Sequence, residues 1–240
     1  MTRKTALITG ASRGIGASVA QAFAAAGYDL YLTCIHSEEK LKTLSDQLSS
    51  AYQIRCTPFV GDMGDFSAVT TLFSQIHQLD VLVNNAGISH IGLLSDMTPE
   101  EWHRIMATNL DSCFYTSKLA IPLMLREKSG KIINISSIWG NVGASMETAY
   151  SASKGAVNSF TRALAKELAP SNIQVNAIAC GVIDTDMNRC FDPEEMQAII
   201  DEIPADRLGR PEEVAAFALQ LANAPSYLTG QIITLDGGYL

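Results

Sequence analysis

The chain has 240 residues, 47% of them hydrophobic, and a formal net charge of −8. That size suits one domain, residues 1–240, with a full core, and the acidity argues against nucleic acid as a partner. It holds no uninterrupted apolar run of about 18 residues, so no membrane span is expected, and the start, Met1–Gly10, turns to glycine too early for a signal peptide.

Strand-like and helix-like segments alternate from end to end. Lys4–Thr9 reads as a buried strand and Gly14–Ala26 as an alanine-rich helix. A second strand, Tyr28–Cys34, precedes a helix over Ser37–Ala51 that carries Glu38 and Glu39 in its first turn. Gln53–Val60 is the third strand and Asp65–His77 the third helix; Asp80–Asn84, Lys131–Ser136, Gln174–Ile178 and Gln231–Leu235 supply four more strands. Pro99–Glu127 predicts a long helix, broken near Thr108 and perturbed at Pro122. The helix carrying Tyr150 runs to Leu168 and stops at Pro170, and two more begin with proline at Pro193 and Pro211. This alternation predicts an α/β fold, a doubly wound seven-stranded parallel sheet with helices on both faces. Five scattered cysteines (Cys34, Cys56, Cys113, Cys180, Cys190) without a C-x-x-C predict unpaired thiols in a reducing cytoplasm and no metal site.

The first strand ends in Thr9-Gly10-Ala11-Ser12-Arg13-Gly14-Ile15-Gly16 and runs straight into a helix. Glycines at such a junction permit a tight turn and close approach of the backbone to a pyrophosphate, which then sits on the unpaired N–H groups of the helix start. The spacing is G-x-x-x-G-x-G, and a purely structural turn is the competing reading. Arg13 opposes the helix dipole unless an anion lies nearby. About 20 residues on, where an acid would select NAD, the chain offers Thr33-Cys34-Ile35-His36-Ser37 and no carboxylate before Glu38. Arg13 and the missing acid favour NADP(H), with His36 and Ser37 as secondary contacts to the 2′-phosphate; His36 also reads as a plain surface residue.

Tyr150 and Lys154 stand four residues apart, on one face of a helix, and Ser137 lies thirteen positions upstream of the tyrosine. A phenol, an ammonium and a hydroxyl brought together make a proton-transfer site. The lysine charge is expected to favour the phenolate and lower the tyrosine pKa.

With these segments placed, the chain resembles the short-chain dehydrogenase/reductase family along its whole length. The matches are Thr9–Gly16, Asp62 after the third strand, Asn84-Asn85-Ala86-Gly87 after the fourth, Asn109, Ser137 and Tyr150-x-x-x-Lys154. The resemblance implies a Rossmann fold, usually in tetramers built through long helices such as the one bearing Tyr150. Ala152, Ala156, Ser159 and Ala163 fit such a contact, and fit core packing as well. It implies Tyr150 as proton donor to a carbonyl oxygen, Lys154 as its tuner and a contact to the nicotinamide ribose, and Ser137 as a substrate contact. Asn109 would hold a water in a relay ending at Lys154. Gly10, Ser12, Arg13, Gly14, Ile15, Gly16, Asp62, Met63, Asn85, Ala86, Gly87, Gly181, Ile183 and Thr185 would meet the cofactor. The chain departs from the family at Cys180-Gly181, where Pro-Gly is usual; a buried, inert thiol is the reading preferred there.

Within the family the likeness is to 3-oxoacyl-acyl-carrier-protein reductases of fatty acid biosynthesis, through Asn84–Gly87, Leu208–Val214 and Leu228–Gln231. A second subgroup, reductases of the 5-aminopentanone modification on elongation factor P, is similar at Ser136–Gly140, Gly143–Ser145 and Glu147. Trp139 and Glu147 are the substrate-pocket candidates, with Met146 and His90 as further wall residues. Glu147 could pair with a substrate ammonium, and as a solvated loop acid it would do nothing. An acidic carrier protein needs a basic docking face, which Arg126, Lys128 and Lys131 offer. A nucleotide sensor without chemistry is the competing class.

Overall fold

The computed structural model describes residues 3–240. Seven strands form one parallel sheet in the order β3-β2-β1-β4-β5-β6-β7. In chain order the elements are β1 (Thr5–Ile8), α1 (Gly14–Ala25), β2 (Asp29–Cys34), α2 (Glu38–Tyr52), β3 (Cys56–Val60), α3 (Phe66–Phe73) and β4 (Val81–Asn84). There follow α4 (Pro99–Met106), a π-helical turn at Ala107–Asp111, α5 (Ser112–Glu127), β5 (Gly130–Ser137), a short α6 (Trp139–Val142) and α7 (Thr148–Leu168). The chain closes with β6 (Ile173–Cys180), α8 (Pro193–Asp201), α9 (Pro211–Ala222) and β7 (Ile232–Leu235).

Side chains alternate across a strand, and that alternation divides the apolar residues between two layers. Ile8, Leu30, Leu32, Val83, Ile133 and Ile178 pack beneath α1, α2 and α9. Leu7, Leu82, Ile132 and Val175 pack on the other face with residues of α3, α5 and α7. Both faces are therefore covered, which is why the inner strands read as continuous apolar runs.

Proline opens α8 and α9 as expected, and Asp192 closes a capping box on α8 with Glu195. Several boundaries differ from the sequence reading, among them the start of β3, at Cys56 rather than Gln53. The third helix ends at Phe73 rather than His77, β5 and β6 each extend to the site edge at Ser137 and Cys180, and α6 was not anticipated. The long 99–127 stretch breaks where expected, as a π turn, but continues through Pro122 without interruption of α5. No helix among the described residues is long and apolar enough to cross a membrane.

Candidate active site

The strand order reverses between β1 and β4, and a cleft opens there at the carboxyl ends of the strands. It continues along the sheet edge as a cavity of about 790 Å³. Every residue expected to meet the cofactor lines it, from Gly10 to Thr185, as do Ser137, Trp139, Glu147 and Tyr150 on the substrate side, while Asn109 is not in its wall.

At the β1 end, Gly10 has φ +64°, and a Cβ there would lie 2.9 Å from the Ala86 Cα. A Cβ on Gly16 would lie 2.3 Å from the Gly10 carbonyl oxygen, so α1 can begin this close to β1 only with glycine. Asn85 stitches the turn: its Nδ2 donates to the carbonyls of Thr9 (2.9 Å) and Gly10 (3.0 Å), and its N–H donates to the Thr9 hydroxyl (2.9 Å). Its side chain thus holds the glycine turn, and Ala86 and Gly87 continue the cleft wall. No side chain caps the start of α1, and its first turn holds no acid. Those N–H groups, with the positive end of the helix dipole, suit the phosphates of a dinucleotide.

Thr33 and Cys34 at the end of β2, with Ile35, His36 and Ser37 beyond it, line the cleft, whereas Glu38 and Glu39 occupy the first turn of α2. The ribose end of the cleft therefore lacks a carboxylate, and Arg13 is the cation beside it. The nearest acid to Arg13 is Asp186 at 3.9 Å, which is held at 2.6 Å by Arg189. The residues present fit a phosphorylated dinucleotide.

At the chemical end, β5 and β6 pair residue for residue from Gly130↔Ile173 to Ser137↔Cys180. That register delivers Ser137 to the mouth of the cleft and turns Ser136 inward, where its hydroxyl donates to Asn158 Oδ1 at 2.6 Å. A buried polar chain fixes α7 against the sheet: Thr116 to Asn84 (2.7 Å), Asn84 to Asn134 (2.9 Å), Asn134 to Thr161 (2.8 Å). Tyr150 and Lys154 are both buried on the inner face of α7. The Lys154 ammonium donates to the Ile135 carbonyl at 2.9 Å and stands over the Tyr150 ring, 5.6 Å from its centre.

Asn109 lies within the π turn, a distortion that recurs at functional sites. Its Oδ1 accepts from Ile88 N–H (2.8 Å), and its Nδ2 donates to the Ile88 carbonyl (2.9 Å) and the Ser153 hydroxyl (2.9 Å). The side chain therefore joins the loop after β4 to α7 and keeps one lone pair of Oδ1 unused.

The expected lowering of the Tyr150 pKa is not what the structure shows. Burial pushes the phenol above its usual range; Ser137 opposes this, and Cys180 and Glu147 add to it. Burial also depresses Lys154, with Cys113 and Cys180 opposing, so desolvation is the largest influence on both groups. Burial likewise pushes the Cys180 thiol up to about 12 and Cys113 up to about 11, which makes both poor nucleophiles. All five cysteines are unpaired.

Glu147 lines the cavity half-buried, and its carboxylate makes no ion pair or hydrogen bond among the described residues. Burial raises its pKa. Trp139 lines the wall as expected, whereas His90 and Met146 do not; Met146 is exposed, and its carbonyl accepts from Gly92 N–H at 2.8 Å. The basic face expected at Arg126, Lys128 and Lys131 is also displaced. Lys131 is the second residue of β5 and Ser137 its last, a separation of about 20 Å at 3.3 Å per residue. Arg126 and Lys131 are moreover engaged with the His77 and Ala224 carbonyls. Sequence reasoning missed Met187, Phe191 and Ile199, which form an apolar wall, and Tyr239 near the C-terminus. None carries a local motif; only folding brings them to the cleft.

The family described as short chain dehydrogenase matches residues 4–196. An "uncharacterized oxidoreductase YmfI" of Bacillus subtilis is 43% identical, covering 98% of this chain and 98% of its own. The 3-oxoacyl-[acyl-carrier-protein] reductase FabG of Chlamydia trachomatis is 38% identical over 99% of this chain and 98% of its own. Among solved structures, YwfH, an NADPH dependent reductase involved in bacilysin biosynthesis, superposes with a TM-score of 0.93 at 27% identity, covering 100% of this chain and 99% of that one.

Proposed function

Because the chain belongs to the short-chain dehydrogenase family, we propose that it is a cytoplasmic NADPH-dependent reductase of a 3-oxoacyl-thioester type of ketone. The observation that carries this reading is the buried set of Ser137, Tyr150 and Lys154 at the end of a cleft that fits a phosphorylated dinucleotide. When bound, the reduced nicotinamide supplies the hydride. Tyr150 Oη gives the one proton that the carbonyl oxygen also needs, so the product is a secondary alcohol. Ser137 Oγ hydrogen-bonds that oxygen and orients it. Lys154, anchored on Ile135, would hold the nicotinamide ribose and keeps positive charge beside the phenol as its proton leaves. Asn109 fixes the loop after β4 against α7 and serves the proton relay to Lys154. Arg13 and the carboxylate-free end of β2 favour NADPH over NADH.

A second reading concerns the substrate. The unpartnered Glu147 carboxylate in the cavity wall favours a ketone that carries an ammonium, such as the aminopentanone modification of elongation factor P. A 3-oxoacyl thioester has no use for that charge, and the distance of Lys128 and Lys131 from Ser137 weakens carrier docking on this face of the same chain.

Copies of the chain associate through α5 and α7, the tetramer being the expected form. Ala152, Ser159 and Ala163 lie exposed on α7, and Phe114 and Leu125 are exposed on α5, a surface suited to close helix contact.

The test is oxidation of NADPH and NADH by purified protein on three ketones: an acetoacetyl thioester, a 3-oxoacyl carrier protein and aminopentanone-modified elongation factor. Turnover of the thioesters with NADPH preferred supports the first reading. Turnover of only the modified factor replaces it with the second, and equal kcat/KM with NADH removes the cofactor assignment.

A further inference from the structure

The segment after β7 is built, not loose. Asp236 holds it with both carboxylate oxygens, accepting from the N–H groups of Gly238 and Leu240 at 3.0 Å each. The Gly237 carbonyl accepts from Ala205 N–H at 3.0 Å, fastening the segment to the turn that follows α8. Gly237 and Gly238 take φ +70° and +86°, which swings the chain back over the cleft.

Tyr239 lines the cavity and thereby joins the C-cap of α8 to Trp139 in the cavity wall. Its hydroxyl donates to Glu202 Oε2 at 2.7 Å, and its ring meets Trp139 edge to face with centres 5.8 Å apart. Glu202 is the C-cap of α8, a position where the helix dipole disfavours an acid. The acid is therefore poorly explained by capping and well explained by its tyrosine. Trp139 begins α6, two residues beyond Ser137, whose Oγ accepts from Trp139 N–H at 3.2 Å. The contacts run from α8 through Glu202, Tyr239 and Trp139 to Ser137.

We infer that Tyr239 is a positioning residue that sets substrate specificity: it braces α8 against Trp139 and so fixes the width of the pocket in front of Ser137. This rests on the reductase reading above. A fixed width admits an unbranched chain beside the carbonyl and turns away branched or aromatic ketones. The tyrosine touches neither reacting atom nor cofactor, so its loss should weaken ketone binding and leave the proton donor and the dinucleotide cleft alone.

The experiment compares Tyr239→Phe, Tyr239→Ala, Glu202→Leu and Glu202→Gln. Tyr239→Phe and Glu202→Leu should each raise KM for the straight-chain ketone about three- to tenfold, the size of one ordinary, solvent-exposed hydrogen bond, with kcat within about twofold and NADPH dissociation unchanged. Glu202→Gln keeps an acceptor and should behave like the parent. The double variant Tyr239→Phe/Glu202→Leu should be no worse than either single one. Tyr239→Ala should narrow the preference for straight over branched ketones. In a Trp102→Phe background, where Trp139 is the remaining tryptophan, Tyr239→Ala should change its emission. Unchanged KM in Tyr239→Phe, or an NADPH dissociation constant that moves as much as KM, would overturn the inference. If the parent protein reduces no ketone, the proposed reaction fails, and the Trp139 emission still decides whether the brace exists.

Discussion

Lys154 holds its ammonium over the Tyr150 ring, 5.6 Å from the ring centre, while donating at 2.9 Å to the Ile135 carbonyl at the end of β5. The strand therefore sets where the charge stands relative to the phenol. Burial makes Tyr150 a poor source of phenolate and keeps it protonated, which suits the donor role proposed for it.

Removal of that donor should separate chemistry from binding. Tyr150→Phe is expected to lower kcat by roughly 10²–10⁴-fold, the usual worth of a positioned acid. The dissociation constant for NADPH, followed by nucleotide fluorescence, should stay within about threefold. An NADP-sensing protein without chemistry would show no activity to lose.

The pH dependence has a definite sign. A raised Tyr150 pKa leaves the donor protonated below it, so kcat/KM for reduction should hold through neutral pH and fall only on the alkaline side. After burial, the charges of Cys180 and Glu147 are the influences that raise this pKa. Glu147→Gln removes one negative neighbour, which favours the phenolate and should move the alkaline limb to lower pH. A limb that stays in place, measured with an uncharged ketone, would detach Glu147 from the phenol.

The same substitution tests recognition of charge. With an amine-bearing ketone, Glu147→Gln should reduce kcat/KM roughly tenfold or more, because the ammonium loses its counter-ion in a partly desolvated wall. An acetoacetyl thioester should be affected far less. Equal effects on both substrates would return Glu147 to the role of a loop acid.

The glycine turn carries a stability prediction. A methyl group at Gly16 meets the Gly10 carbonyl oxygen at 2.3 Å and Asn85 Nδ2 at 2.6 Å, so Gly16→Ala forces α1 away from β1. The loss should be about 1–3 kcal/mol, with weaker stabilisation by added NADPH. Thermal melts with and without nucleotide measure both.

Acid stability should depend on Glu213. The Arg207 guanidinium, with Arg210, holds this carboxyl at about 2 against an ordinary 4.5. The folded pKa is the lower one, so the unfolded chain takes up the proton first, and the contribution is present above 4.5 and lost as pH falls towards 2. Arg207 grips both carboxylate oxygens at 2.7 Å and steadies the loop whose Gly209 pairs with Ile183 at the cleft. Glu213→Gln should flatten the fall of stability over that interval in an acid titration followed by circular dichroism.

Periodicity alone was enough for the layered sheet, because alternating short apolar runs and helical patterns have few other ways to bury both faces. The glycine turn, Ser137, Tyr150 and Lys154 were legible too, since each is a local pattern at a junction of strand and helix. Strand register was not: that Ser137 ends β5 opposite Cys180 follows from pairing across the sheet, where a shift of one residue would have turned Ser136 to the cleft instead. Nor was the acidity of the phenol, for a pKa depends on how much water the packed chain removes, and that is a property of neighbours distant in sequence. Arg126, Lys128 and Lys131 look adjacent to the site on paper and lie a strand's length away, whereas Tyr239, 89 positions beyond Tyr150, closes the same cavity. Distance along the chain fixes only local geometry; proximity across it is settled by which surfaces the core brings face to face.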